Sequence, residues 1–296
     1  MMPHHFKMLL VVLAFPFTYF LGYGLYQGYL DHIHVVTIPE ANTARIQHPN
    51  YHLVALDALK HFVELPAARQ TAIREHLAVR LVDFDVWVRE KRRIPAHLIC
   101  LGENHDNQTR TFLAQHVFPS LPPDHLMIEA TAEETIRIQN DTRAYVPLLG
   151  ADISAILKQL PKTTAVVGIE QNMSQSSLSR ERAILANLLG ALRADALTVV
   201  LYGALHCGDY EGWLYDILTN TNASNLPDQI SSVRVLGEHQ DGSLEAFIYF
   251  LDEIGMKKDN FVITPSRKLD EWLRGAFPVL NDQTLDHFDD VVVFRP

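Results

Sequence analysis

Two short motifs share one form: Gly102-Glu103-Asn104-His105 and Gly203-Ala204-Leu205-His206, each a glycine with a histidine three places on. Each follows an apolar run, His97–Leu101 in the first case and Leu197–Tyr202 in the second, and each precedes a helix-like stretch. Glycine lets the chain leave a strand and approach a neighbour closely. A histidine just ahead of a helix amino terminus meets the positive end of the dipole, so a neutral imidazole is expected. That form ligates a metal or accepts a proton. Glu129 and Glu170 end two further apolar runs, and Glu103 joins them as a third carboxylate. Two imidazoles with carboxylates suit zinc, manganese or cobalt, and such an ion would lower the pKa of bound water towards neutrality. Singly, each residue has a plainer use: a histidine at a strand end as a hydrogen-bonding group, a glutamate ahead of a helix as a partner for its dipole. Four successive run ends carrying Glu or His point to a shared site.

Other histidines read differently. His97 and His125 open their runs, belong at the opposite edge and are expected to be structural. His61 and His76 are expected on helix surfaces without partners, whereas His239 ends a further run and is a candidate to reach the cluster. Cys100 lies in the first run and Cys207 follows His206, so they meet if those strands are neighbours. Two buried thiols are expected, with a disulfide as the alternative. The chain has no G-x-S-x-G elbow, Walker loop, H-E-x-x-H or G-x-G-x-x-G.

The elements that must position these residues follow from the pattern after Pro95. Apolar runs at 97–102, 125–129, 165–170, 197–202, 233–236, 261–264 and 291–294 alternate with helix-like stretches, among them 107–118, one through Ala191, and 212–218. Thr131 and Glu134 form a capping box at the start of another. Strands apolar throughout, separated by helices, predict an α/β fold with a mostly parallel central sheet covered by helices on both faces. Ligands of such sheets sit beyond the carboxyl ends of the strands, where the Glu and His residues stand. Residues 51–94 carry helical spacing, with Leu53, Leu56, Leu59 and Phe62/Val63 on one face, and predict a helical lead-in.

Met8–Leu30 holds 23 residues without a charge, enough to span a hydrocarbon core. Lys7 before it and Asp31 after it place the amino terminus inside. The run is longer than a signal-peptide core and lacks a clear small-residue cleavage pattern, so an uncleaved membrane anchor at residues 1–30 is expected. An irregular linker follows at 31–50, then one α/β domain at 51–296. The bulk then lies outside the inner membrane, in the periplasm of a bacterium. With 48% hydrophobic residues the chain can bury a core, which excludes a disordered protein. A net charge of −10 argues against nucleic acid as a partner.

The order strand-GENHD, strand-IEA, strand-GIE, SRERAILANLL, strand-YGALH resembles the Tiki/TraB, ChaN-like haem-binding and erythromycin-esterase superfamily, over about residues 95–296. Arg180-Glu181 and Asn187 fit that superfamily's helix signature, and GALHCGDYEGWLYDIL is similar to the Tiki/TraB form of the second motif. The resemblance implies three functions. The favoured one is a membrane-tethered metal-dependent hydrolase of peptides or esters. There His105 and His206 ligate the ion, Glu103 is ligand or base, Glu129 or Glu170 orients the water, and Arg180 steadies charge. The second is haem binding in iron uptake, with Tyr202, Tyr210 or Tyr215 near the second motif as donors. The third is a metal-free esterase with His105 as general base, although that branch spaces the first Glu and His one residue further apart.

Overall fold

The computed structural model describes residues 47–140, 153–171 and 177–295. Two helices lead in, α1 (Pro49–Glu64) and α2 (Ala67–Arg80), followed by a three-residue strand β1 (Leu81–Asp83) and α3 (Phe84–Arg92). Then come β2 (His97–Glu103), α4 (Asn107–Phe112), β3 (His125–Ile128), α5 (Ala132–Asn140), α6 (Ile153–Gln159), β4 (Ala165–Gly168), α7 (Ser177–Ala191) and β5 (Leu197–Gly203). The chain continues through α8 (Ala204–Cys207), α9 (Leu214–Thr219), β6 (Ile230–Gly237), α10 (Gly242–Glu253), β7 (Phe261–Ile263), α11 (Glu271–Ala276) and β8 (Asp290–Phe294).

The eight strands form one sheet in the order β1-β7-β8-β6-β2-β5-β3-β4. Pairings from β8 across to β4 are parallel; β7 runs antiparallel to both β8 and β1. The fold is therefore α/β with a mostly parallel mixed sheet flanked by helices. Strand side chains alternate between two cores. Leu98, Cys100, Met127, Val200 and Tyr202 pack with α1, α2, α7 and α10 on one face. Ile99, Leu101, Leu126, Ile128, Val199 and Leu201 pack with α3, α4 and α6 on the other. Burial on both faces is why every residue of β2 is buried and why its sequence shows no polar alternation.

The lead-in departs from its expected pattern in three places. β1 interrupts the helical stretch, because Leu81–Asp83 pairs with Ile263–Phe261 and extends the sheet edge. α1 begins at Pro49, inside the expected linker, and it buries His52, Ala55, Ala58 and Phe62, whereas Val63 is exposed. The small alanines let α1 lie close against α10, so the leucines sit at the flanks of the contact. The expected anchor at 8–30 lies outside the described residues. Among the described residues no helix is long and apolar enough to cross a membrane.

Candidate active site

The chain runs from β2 outward to β3 and β4, returns to insert β5 between β2 and β3, and crosses to β6 on the other side of β2. That reversal gathers the ends of β2, β5 and β3 at one edge of the sheet. In register, Glu103 faces Gly203 and Gly102 faces Tyr202, so the two G-x-x-H motifs leave adjacent strands side by side. A Cβ on Gly203 would stand 2.8 Å from His105 Nε2, a clash that glycine avoids. His105 itself has φ +55°, a left-handed backbone that places its ring over the strand ends.

His105 sits between two carboxylates. Its Nδ1 is 3.2 Å from Glu103 Oε1 and its Nε2 3.2 Å from Glu129 Oε2. These bonds, Glu103 first and Glu129 second, outweigh burial and raise the imidazole to about 9. The neutral ring expected from the helix dipole is thereby corrected: near neutral pH the two glutamates keep it an imidazolium. Arg110 Nη2 donates to the same Glu103 Oε1 at 3.0 Å and lies 3.1 Å from Nδ1, so two donors share one carboxylate oxygen. Burial opposes the charge on Glu129, but His105 and the Gly203 amide, which donates to Oε2 at 3.1 Å, hold its carboxyl below the usual range.

The second half is built on α7. Arg180 Nη2 bridges Glu129 Oε1 at 3.0 Å and Glu170 Oε2 at 2.6 Å, and its Nε donates to Glu170 Oε1 at 3.2 Å. Burial alone would lower this guanidinium; Glu170 and Glu129 outweigh it and hold the charge more firmly. The next residue, Glu181, accepts a hydrogen bond from His206 Nδ1 at 3.0 Å. Arg180 Nη1 faces His206 Nε2 at 3.4 Å. The Glu181 carboxylate only accepts, so its bond places a proton on His206 Nδ1. Trp213 and Tyr202 pack edge-on against the His206 ring, fixing its plane.

Glu103, His105, Glu129, Glu170, Arg180 and His206 are thus brought together, with Glu129 between the two histidines: its Oε1 is 4.0 Å from His206 Nε2. His239 is elsewhere, bonded to Glu245 Oε1 at 2.6 Å. His61 has a loose partner in Asp57 at 3.8 Å. His97, as expected, is at the far edge, buried against Ser231. The expected buried thiols are a correction as well: Cys100 and Cys207 form a disulfide across 5.1 Å between Cα atoms, tying α8 to β2. Arg110 was not singled out by sequence, and Glu181 only as half of the Arg180-Glu181 pair in the resemblance, with no role given to it. Arg110 was signalled only as a charge among Thr109, Phe112 and Leu113 on a buried helix face.

The donor set does not fit a divalent ion. Both ring nitrogens of His105 are engaged by carboxylates, and the carboxylates that would share the ion already bind the cations Arg110 and Arg180. It does not fit haem iron either. Tyr202 is fully buried with its hydroxyl 3.5 Å from Glu170, Tyr210 donates to the Gln283 carbonyl at 2.9 Å, and Tyr215 to Asp289 at 2.8 Å. A cleft of about 610 Å³ opens over the site, lined by His105, Arg180, His206, Tyr210, Trp213 and Arg234 among others. An 810 Å³ cavity near Asp83 and Lys258 is larger, but it lies away from this cluster.

No family model matches the chain, and no curated protein matches it. Among solved structures the chain is similar to RRSP, a MARTX toxin effector domain from Vibrio vulnificus CMCP6, with 14% identity and a TM-score of 0.33. That similarity covers 64% of this chain and 42% of the toxin domain, so the chain spans less than half the length of the structure it matches.

Proposed function

We propose that this domain is a hydrolase of esters or peptides, of the Tiki/TraB, ChaN-like and erythromycin-esterase kind, that activates water with its own side chains. The observation that carries this reading is the pairing of unlike histidines across Glu129. His105 is a proton donor held charged by Glu103 and Glu129. His206 lines the cleft, with Nδ1 fixed by Glu181 and Nε2 beside Arg180. Separate environments for two titratable groups are how one site runs acid and base steps together.

In the proposed reaction a water in the cleft gives a proton to His206 Nε2 as its oxygen attacks the acyl carbon. Arg180, already charged and rigidly held, faces the negative charge that develops on the carbonyl oxygen. The bond to the leaving group breaks as the His105 Nε2 proton turns from Glu129 to it. Glu129 accepts from His105 at 3.2 Å and stands 4.0 Å from His206 Nε2, so the proton returns from His206 to His105 through solvent in the cleft. We prefer this to the metal-dependent mechanism expected from sequence because guanidinium and imidazolium already engage the carboxylates. The Cys100–Cys207 disulfide supports an oxidising compartment, in keeping with a domain tethered outside the inner membrane through residues 8–30.

The test is turnover of 4-nitrophenyl acetate by the full chain in detergent, before and after EDTA. We expect unchanged turnover with EDTA, and a loss of about 10²- to 10⁴-fold in His206→Ala. Loss of activity on chelation, restored by Mn, Co or Zn, would overturn the metal-free reading in favour of the metal-dependent one.

A further inference from the structure

One charged side chain in the cleft has no part in the proposed chemistry. Arg234 stands in β6, in register with Gly102, between the buried residues Val233 and Val235. Arg234 is among the residues that line the cleft with His105 and His206. Its Nη2 donates to Oδ1 of Asn104, an exposed side chain in the loop after β2. Its Nη1 is shut off from water and meets no acceptor among the described residues. Phe288 lies under it, with 5.9 Å between Cζ and the ring centre.

The contrast with the other two arginines is chemical. Arg110 and Arg180 are each held by carboxylates. Among the described residues Arg234 has one hydrogen-bond partner, a neutral amide. A cation taken out of water without an anion is costly unless a partner arrives. Burial lowers this guanidinium to about 10, against the opposing pull of Tyr210, Asp241, Asp106 and Glu103. The planar fork of a guanidinium matches a carboxylate through two parallel hydrogen bonds, whereas Asn104 supplies a single oxygen.

We propose that Arg234 is the anion anchor of the cleft. The substrate carries a carboxylate that displaces the Asn104 amide from the guanidinium and holds the acyl group against His105 and His206. The acidic side chains around Arg234 weigh against a dianion such as a phosphate monoester and favour a single charge. The reaction part rests on the hydrolase reading above; the binding part does not.

The experiment compares 4-nitrophenyl hemisuccinate with 4-nitrophenyl acetate as substrates, and succinamic acid with succinamide as ligands by calorimetry. The full chain is used as wild type, Arg234→Met and Arg234→Lys. We expect the wild type to prefer the carboxylate-bearing member of each pair by about 10- to 100-fold, as a charge-assisted hydrogen-bond pair would give. The preference should vanish in Arg234→Met and be intermediate in Arg234→Lys, which keeps the charge and loses the fork. If neither ester turns over but succinamic acid retains its advantage, the hydrolase reading fails and the anchor stands. If the wild type shows no preference by either measure, or Arg234→Met keeps it, the anchor is overturned. The wild-type comparison decides the matter even where a variant fails to fold.

Discussion

At the scale of single residues the site is governed by which atoms hold protons. Glu103 and Glu129 face His105 from β2 and from the end of β3, and Arg110 faces it from α4. Two carboxylates against one guanidinium leave the balance in favour of the proton. The Glu103 and Glu129 carboxylates raise the folded ring from the usual 6.5 to about 9, so the direction of the pH effect is fixed. Its contribution to stability is fully present below about 6.5 and is lost as pH rises through about 9. The same titration removes the proposed acid. Activity should therefore fall above about pH 9, and His105→Gln should abolish that limb of the kcat/KM profile along with most of the rate. A profile that stays flat to pH 10 would show that His105 is not the acid. Sequence alone located His105, Glu129, Glu170 and His206 because each ends an apolar run. It misjudged the charge on His105 because the helix dipole is a weak, local effect beside two carboxylates at 3.2 Å.

At the scale of elements, the strand ends were legible from pattern, whereas the helix faces that meet them were reached only through the Arg180-Glu181 pair of the resemblance. Uniformly apolar strands announce a covered parallel sheet, whereas a helix face is read only from periodicity, and charged residues on an inward face break the pattern. Arg110 on α4 and Glu181 on α7 are such residues: both are buried, and both hold a group from a strand end. Arg234 breaks a strand rather than a helix face, as a charge within the apolar segment Val233–Leu236 of β6. The short edge strand β1 was hidden because three residues carry too little pattern to separate a strand from the helices on either side. Burial makes the α4–β2 link costly to break. Arg110→Met leaves Glu103 buried with only His105 opposite, and we expect a loss of about 3 kcal/mol in urea unfolding, the low end for breaking a buried pair. The double variant Arg110→Met/Glu103→Leu should regain most of it, because it buries no unpaired charge. Equal instability in both variants would show that packing rather than charge ties this helix down.

At the scale of the whole molecule, the Cys100–Cys207 bond closes a loop with a sequence separation of 107. Constraining a chain segment of that length should stabilise the fold by about 4 kcal/mol. Cys100→Ser/Cys207→Ser is expected to lose that amount in chemical unfolding, and a change below about 1 kcal/mol would mean that neighbouring packing already fixes α8. The insertion of β5 between β2 and β3 has a separate consequence for synthesis. When the ribosome has made β2, β3 and β4, the strands that will flank β2 are still missing: β5 begins nearly 100 residues after β2, and β6 later again. The first half of the domain emerges with a gap one strand wide and with Glu103, Glu129 and their apolar neighbours open to solvent. Sheet closure, burial of the carboxylates and assembly of the histidine pair then become one late event, and the nascent chain is most exposed to misassociation just before it.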